Sequence, residues 1–296
     1  MIRIDSLDAW RRYRGGIDGQ AIGFVPTMGA LHEGHASLLA RSRSECGHTV
    51  LSIYVNPTQF NDPKDLEAYP RTEAADLALA ESLGVDAVLL PRYDDLYSDG
   101  FRFRVDESAF SRTLCGAHRP GHFAGVLTVV MKLLNLVRPT RAYFGEKDYQ
   151  QYLLIRDMAA AFFMDVEIVP CATARAPDGL ALSSRNQLLD ASARSLAPAF
   201  PALLQDARSD DAIAAALQAM GFEVDYVETV GQRRFGAVVV RCGTRTVRLI
   251  DNVPLESAQP AIAALDHGPL DPLEPRSSGA GAGTPGQTTS TEHLAP

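Results

Sequence analysis

An α/β fold, a doubly wound parallel sheet followed by a smaller C-terminal α+β domain, is what this 296-residue chain predicts. Three observations predict it. Short β-branched runs alternate with longer helical patterns, and clusters of polar residues and glycine fall directly behind those runs. After about residue 185 the pattern changes to helices and then strands separated by short turns.

The strands are expected at 21–26, 49–55, 85–91, 140–144 and 166–170. Helices are expected between them at 34–46, 66–83, 123–137 and 149–162, and Tyr69-Pro70-Arg71-Thr72 interrupts the second. In the last helix Leu153, Ile155, Met158 and Phe162 recur at mostly helical intervals. Farther on, 191–207 and 211–221 read as helices, and 223–230, 236–241 and 246–250 as strands. These patterns divide the chain into a large domain over 1–185, a small α+β lid over 186–266 and a tail over 267–296. The tail is rich in Gly, Pro, Ser and Thr, with too little apolar material to offset its ordering entropy, so disorder is expected.

Composition narrows the function classes. Hydrophobic residues make up 46% and charged residues 22%, enough apolar material for a packed core. A formal net charge of −8 argues against broad binding to nucleic acid or to an anionic membrane, and neither is expected as a partner. Cys46, Cys115, Cys171 and Cys242 are scattered, without a CxxC pair, and read as reduced thiols. Met1-Ile2-Arg3-Ile4-Asp5 carries charge too early for a signal peptide. The most apolar stretch, 126–137, is interrupted by Lys132 and Asn135 and is too short to span a bilayer. A cytoplasmic location is expected.

Four clusters carry candidate chemistry. Pro26-Thr27-Met28-Gly29-Ala30-Leu31-His32-Glu33-Gly34-His35 follows the first strand. His32 and His35 lie three apart and share one face of a helix start, where unpaired N–H groups favour an anion such as phosphate. Gly34 leaves room for a ligand to approach the backbone. Two imidazoles beside a phosphate suit stabilisation of a pentacovalent transition state. An ordinary capped helix with surface histidines is the alternative. Metal binding by the pair is disfavoured, because Glu33 points elsewhere and no third ligand is evident.

Tyr54-Val55-Asn56-Pro57-Thr58-Gln59-Phe60 follows the second strand, and Gln59 offers both a donor and an acceptor to a hydroxy acid. Read alone, it is a plain turn. Gly145-Glu146-Lys147-Asp148-Tyr149-Gln150-Gln151 follows the strand at 140–144. There Gly145 permits a sharp exit, Lys147 brings positive charge, and Asp148 suits a helix cap or a ribose hydroxyl. Asp178-Gly179-Leu180-Ala181-Leu182-Ser183-Ser184-Arg185-Asn186 combines hydroxyls with a guanidinium that suits β- and γ-phosphates, or forms a polar hinge. Arg119-Pro120-Gly121-His122-Phe123 reads as a cover for the site or as a rigid connection in which His122 caps or packs. A parallel sheet gathers loops that follow its strands along one rim, where open α/β sheets bind ligands.

The strand–HxGH–helix order resembles the nucleotide-binding signature of nucleotidylyltransferases and class I aminoacyl-tRNA synthetases, implying a Rossmann-like sheet of the HxGH nucleotidyltransferase type. Taken together, PTMGALHEGH, NPTQF, YPRT, RPGHF, FGEKDYQQ and DGLALSSRN resemble the pantoate–β-alanine ligase family, known as pantothenate synthetases. The match runs from about Gly23 to Asn186 and continues weakly through Leu249-Ile250-Asp251-Asn252. The resemblance implies that Met28, Gly29, Ala30, Leu31, His32, Glu33, Gly34 and His35 hold ATP. His35, His32 and Lys147 are then the catalytic groups. Gly145, Glu146, Lys147, Asp148, the backbone near Ala174, and Leu182, Ser183, Ser184 and Arg185 surround the nucleotide.

By the same resemblance Gln59 and Gln151 hold pantoate, and Gln59 also meets β-alanine. It implies AMP-forming chemistry through a pantoyl adenylate, Mg²⁺ carried with ATP on protein ligands left unassigned, and a homodimer. Thr58 stands where the family often has Met, and Ala124 where a charged residue is common; neither is assigned to catalysis. The rival readings are a nucleotidylyltransferase, a tRNA-charging enzyme and a non-catalytic nucleotide-binding module. The neutral Gln59 and Gln151 disfavour the first, the acidic balance the second, and retention of His32, His35 and Lys147 the third.

Overall fold

The structure, a computed structural model, describes residues 1–255. The end of the expected lid, 256–266, and the expected tail, 267–296, lie outside the described residues. The chain starts with β1 (Ile2–Ile4) and α1 (Leu7–Gly16), capped by Ser6. β2 (Ile22–Thr27) leads to α2 (Glu33–Glu45), and β3 (His48–Ile53) to a 3-10 turn at Pro57–Gln59, then α3 (Pro63–Ala68) and α4 (Glu73–Ser82). β4 (Ala87–Leu89) precedes α5 (Tyr93–Leu96), α6 (Cys115–His118) and the long α7 (His122–Val137). β5 (Arg141–Gly145) runs through a 3-10 turn at Glu146–Asp148 into α8 (Tyr149–Ala161), and β6 (Glu167–Cys171) follows. The rest holds α9 (Ala191–Leu196), α10 (Ala199–Leu204), α11 (Asp210–Ala219), β7 (Glu223–Val230), β8 (Arg233–Cys242) and β9 (Arg245–Pro254).

The first six strands form one parallel sheet in the order β1-β4-β3-β2-β5-β6. From β2 the chain moves outward through β3 and β4, then resumes on the other side with β5 and β6. The order therefore reverses between β2 and β5, and a crevice opens outside the carboxyl ends of those strands. Alternation along the strands buries both faces. Val25, Leu51, Val88, Tyr143 and Val169 pack with Leu38 and Leu39 of α2 and Ala80 of α4. Phe24, Val50, Leu89 and Ala142, one position removed, are fully buried as well. The Trp10 indole of α1 donates to the Leu136 carbonyl at 2.8 Å, docking α1 on α7.

The second sheet, β7-β8-β9, is antiparallel. Its core joins Val238, Val240 and Leu249 to Phe200 and Leu204 of α10 and Ile213 and Leu217 of α11. A side chain at Gly236 would come within 2.9 Å of both Phe200 and Leu204, so only glycine lets α10 lie this close.

Both sheets match the expected fold class, and the main strands fall within a few residues of the expected ones. Two long helical stretches divide, the first at the expected interruption and the second unexpectedly. The stretch at 66–83 breaks because Pro70 holds Tyr69 extended, at ψ 127°. The stretch at 191–207 breaks at Pro198, between α9 and α10. Among the described residues no helix is long and apolar enough to cross a membrane.

Candidate active site

The loop after β2 turns sharply, with Gly29 at φ +79° and Ala30 at φ +50°. Ala30 is a costly residue for a left-handed conformation. Asp76 of α4 holds it there: its carboxylate accepts from the Ala30 N–H at 2.9 Å and the Leu31 N–H at 2.8 Å. Thr72 Oγ1 donates to the same carboxylate, which is 2% exposed.

His32 is the N-cap of α2, in extended conformation, and His35 lies in its first turn. Their rings lie against each other, tilted by 43°, with centroids 4.2 Å apart. His32 Nδ1 accepts from the Gly34 N–H at 3.1 Å, and His35 Nδ1 accepts from the His32 N–H at 3.3 Å. A neutral imidazole that accepts at Nδ1 carries its proton on Nε2, so each ring keeps one N–H for a ligand. Burial, then the neighbouring His32 and Lys147, pushes His35 down to about 3. Burial and Lys147 lower His32 too, partly offset by Asp148. Both rings are therefore neutral donors near pH 7.

This modifies one sequence expectation and adds to another, since Gly34 lines the cleft as expected. Four N–H groups of the turn are already spent, on Asp76 and on the two histidines, so the imidazoles present the donors in their place. Gly34 makes room for the His32 ring, since a Cβ there would lie 2.8 Å from its Cε1.

The loop after β3 is fixed from beneath. Asn56, 1% exposed, donates to Gln59 Oε1 at 3.0 Å and to the Gly125 carbonyl at 3.3 Å, and accepts from the Tyr97 hydroxyl at 2.9 Å. Gln59 Nε2 points to Met28 Sδ at 3.3 Å. The Gln59 carbonyl accepts from His122 Nδ1 at 2.8 Å and from Arg119 at 3.1 Å. Arg119 also donates to His122 Nε2 at 3.1 Å, which puts the ring proton on Nδ1. Burial, reinforced by Arg119, pushes His122 down to about 3. RPGHF is thus a rigid support for Gln59.

After β5, Lys147, Asp148 and Gln151 face the crevice, with Lys147 Nζ 3.9 Å from Asp148. Asp148 precedes α8 without a side-chain capping bond, contrary to expectation, because its carboxylate is turned toward Lys147 and the cleft. Gly145 has an ordinary φ of −74° and open space where a Cβ would be, so it is not needed for the turn. Gln150 is turned inward: its amide spans Cys115 N–H, Phe110 O and Thr113 O.

In the fourth loop the Ala174 carbonyl accepts from the Leu182 N–H at 2.9 Å. Ser184 Oγ meets the Tyr69 hydroxyl at 3.2 Å, and Arg185 pairs with Asp65 at 2.8 Å.

One cleft collects Met28, His32, Gly34, His35, Gln59, Gly145, Lys147, Asp148, Gln151, Ala174, Leu182, Ser183, Ser184 and Arg185. Gly29, Ala30, Leu31, Glu33 and Glu146, from the same motifs, do not line it. Gly29, Ala30 and Leu31 are turned toward Asp76, and Glu33 is exposed. Tyr54, Asn56, Tyr69 and the apolar wall Val126, Val129, Val130 and Leu133 of α7 also line it, none of them assigned from sequence. Helical periodicity announced α7 but not which side faces the cleft.

The family model for pantoate-beta-alanine ligase matches residues 2–254. The chain belongs to the pantoate–β-alanine ligase family. It is 56% identical to the pantothenate synthetase of Bdellovibrio bacteriovorus over 249 residues, 84% of this chain and 96% of that one. Against a Legionella pneumophila pantothenate synthetase it is 50% identical over 248 residues, 83% and 97% of the two chains. A Francisella tularensis pantoate–β-alanine ligase, solved with β-γ ATP and β-alanine, superposes with a TM-score of 0.81 at 39% identity, covering 87% of this chain and 99% of that one. A Thermus thermophilus pantothenate synthetase gives a TM-score of 0.77 at 38% identity, over 86% and 99%. Like these relatives, the chain is a ligase.

Proposed function

We propose that this ligase joins pantoate to β-alanine, cleaving ATP to AMP and pyrophosphate by way of a pantoyl adenylate. The observation that carries it is the convergence, in one cleft of a pantoate–β-alanine ligase chain, of two imidazole Nε2–H donors, Lys147, and the amides of Gln59 and Gln151. The pantoate carboxylate attacks the α-phosphate and pyrophosphate leaves; the β-alanine amine then attacks the acyl carbon and AMP leaves. Neither step needs a protein nucleophile. Both need reactants held in line and charge stabilised where it grows.

His35 and His32 donate to the α-phosphate, and Lys147 neutralises charge that builds toward the leaving pyrophosphate. Ser183, Ser184 and Arg185 hold the outer phosphates, for which Arg185 exchanges Asp65. Gln59 and Gln151 bond the pantoate hydroxyls, and the α7 wall packs its dimethyl carbon. Gln59 then meets the incoming β-alanine, a ligand that the Francisella relative was solved with.

Among the described residues no cluster of three or more His, Cys, Asp or Glu is arranged around a metal position. Among the described residues Asp148 is the one carboxylate of the cleft lining. Such a donor set fits a Mg²⁺ that arrives on the ATP phosphates, keeps waters, and takes at most Asp148 from the protein. When bound, it supplies charge neutralisation for the departing pyrophosphate.

The family resemblance also supports a homodimer in the cytoplasm, and the separate core of the second sheet supports a lid domain that begins near residue 186. A monomeric mass by light scattering would overturn the homodimer. The function is tested by pyrophosphate release from ATP with pantoate, with and without β-alanine. Pantoate-dependent release, followed by AMP and pantothenate once β-alanine is added, is expected. ATP binding without release would overturn it.

A further inference from the structure

Asn252 lies on β9, in the antiparallel sheet, outside the cleft lining. It is 3% exposed, and both N–H donors of its amide group are turned to one task. Its Nδ2 donates to the carbonyls of both Glu146 and Lys147, each at 2.9 Å. Its Oδ1 accepts from Arg233, whose guanidinium lies 3.9 Å from the Tyr149 ring centroid. The Arg233 contact fixes which end of the amide faces the turn, so both donors must point at the two carbonyls. Next to it Asp251, 4% exposed, takes Arg175 in a bidentate pair at 2.6 and 2.9 Å. Two adjacent β9 residues therefore grip two of the loops that build the cleft.

The Glu146–Asp148 turn is a single 3-10 turn, too short to hold itself rigid. Its Lys147 is half-buried and aimed into the cleft, while its backbone carbonyl is tied down from behind by Asn252. Fixing that carbonyl fixes the Cα from which the ammonium group extends.

We propose that Asn252 is a positioning residue for adenylylation: through its paired bonds to the Glu146 and Lys147 carbonyls it holds Lys147 in register with the reacting phosphate, so the antiparallel sheet contributes to the first half-reaction. The inference rests on the role given above to Lys147. It assigns a task to the Leu249-Ile250-Asp251-Asn252 motif, which does not line the main cleft. The effect belongs in turnover, because the Asn252 amide bonds Glu146, Lys147 and Arg233 and not Gln59 or Gln151.

The test compares Asn252→Ala and Asn252→Asp, alone and combined with Lys147→Ala, by single-turnover release of pyrophosphate with ATP and pantoate. Asn252→Asp keeps the size and the Arg233 contact but removes both donors. Thermal melting identifies folded protein. Both single variants are expected to melt cooperatively and to lose about 10- to 100-fold in turnover with pantoate KM unchanged, as for a reacting group misplaced by on the order of 1 Å. In the Lys147→Ala background neither is expected to slow the reaction further, since a group that acts through Lys147 has nothing left to position. Additive losses, wild-type turnover of the single variants, or failure of both to fold would each overturn the inference. Impaired Lys147→Ala beside unimpaired Asn252 variants removes only this inference. Wild-type turnover of Lys147→Ala removes the Lys147 role and the inference with it.

Discussion

Replacing His35 separates the two jobs that its ring performs. His35 lines the cleft, and its Nδ1 accepts the His32 N–H at 3.3 Å, which leaves the ring proton on Nε2. His35→Ala loses both. Removing one preorganised donor to a developing oxyanion costs about 2.7–4 kcal/mol of barrier, or about 10²- to 10³-fold in rate. Removing a capping acceptor costs about 0.5–2 kcal/mol of stability. His35→Asn keeps an acceptor near the Nδ1 position, so the stability loss is expected to disappear while the rate loss remains. His35→Gln places an amide N–H near the Nε2 position, so part of the rate is expected to return while the capping bond stays lost. The assay is pantoate-dependent pyrophosphate release, paired with denaturant unfolding of each variant. Wild-type turnover in folded His35→Ala, or a faster His35→Asn than His35→Gln, would refute the assignment of Nε2–H as the catalytic donor.

Three further outcomes are expected. A side chain at Gly125 would lie 2.4 Å from the Thr58 carbonyl, so Gly125→Ala must push α7 off the Gln59 loop. A stability loss of about 1–3 kcal/mol is expected, with pantoate KM raised and ATP KM little changed; steady-state kinetics in each substrate checks it. Asp76→Ala frees the Ala30 and Leu31 N–H groups and should cost about 1.5–3 kcal/mol for each charged bond lost, with slower pyrophosphate release, read from unfolding curves and turnover. His122 sits at about 3 in the fold, below its ordinary 6.5, so the unfolded chain binds more protons between those values. Stability is therefore full above 6.5 and falls as pH drops from there toward 3, and His122→Asn should flatten that slope in unfolding midpoints taken from pH 7.5 to 5.

The sequence made the parallel sheet legible because its central strands are buried on both faces and read as apolar β-branched runs. β1 escaped notice because three residues make no pattern, and α1 because Trp10 is its one buried side chain among arginines. Pro70 marked the interruption of the helix at 66–83, but Pro198 did not reveal that the stretch at 191–207 becomes two helices. The histidines, Lys147, Gln59 and Gln151 were legible because motifs fix residue types at close spacing, and the structure gathers all of them in one cleft. What stayed hidden was support that arrives from a distance. Asp76 lies on a helix whose apolar pattern gives no reason to single out one acid. Nor does the His122 side chain betray that its ring lies beneath Gln59 until α7 is packed against the β3 loop.

Each loop of the cleft is clamped by a residue outside its own motif: Asp76 behind the histidine turn, His122 behind Gln59, Asn252 behind Lys147, and Asp65 against Arg185. The cleft is consequently not a portable module. Grafting the six sequence motifs onto another parallel sheet would carry over the reacting side chains and His122 but leave Asp76, Asn252 and Asp65 behind, and a transplant that worked would have to bring α3, α4 and β9 along with them.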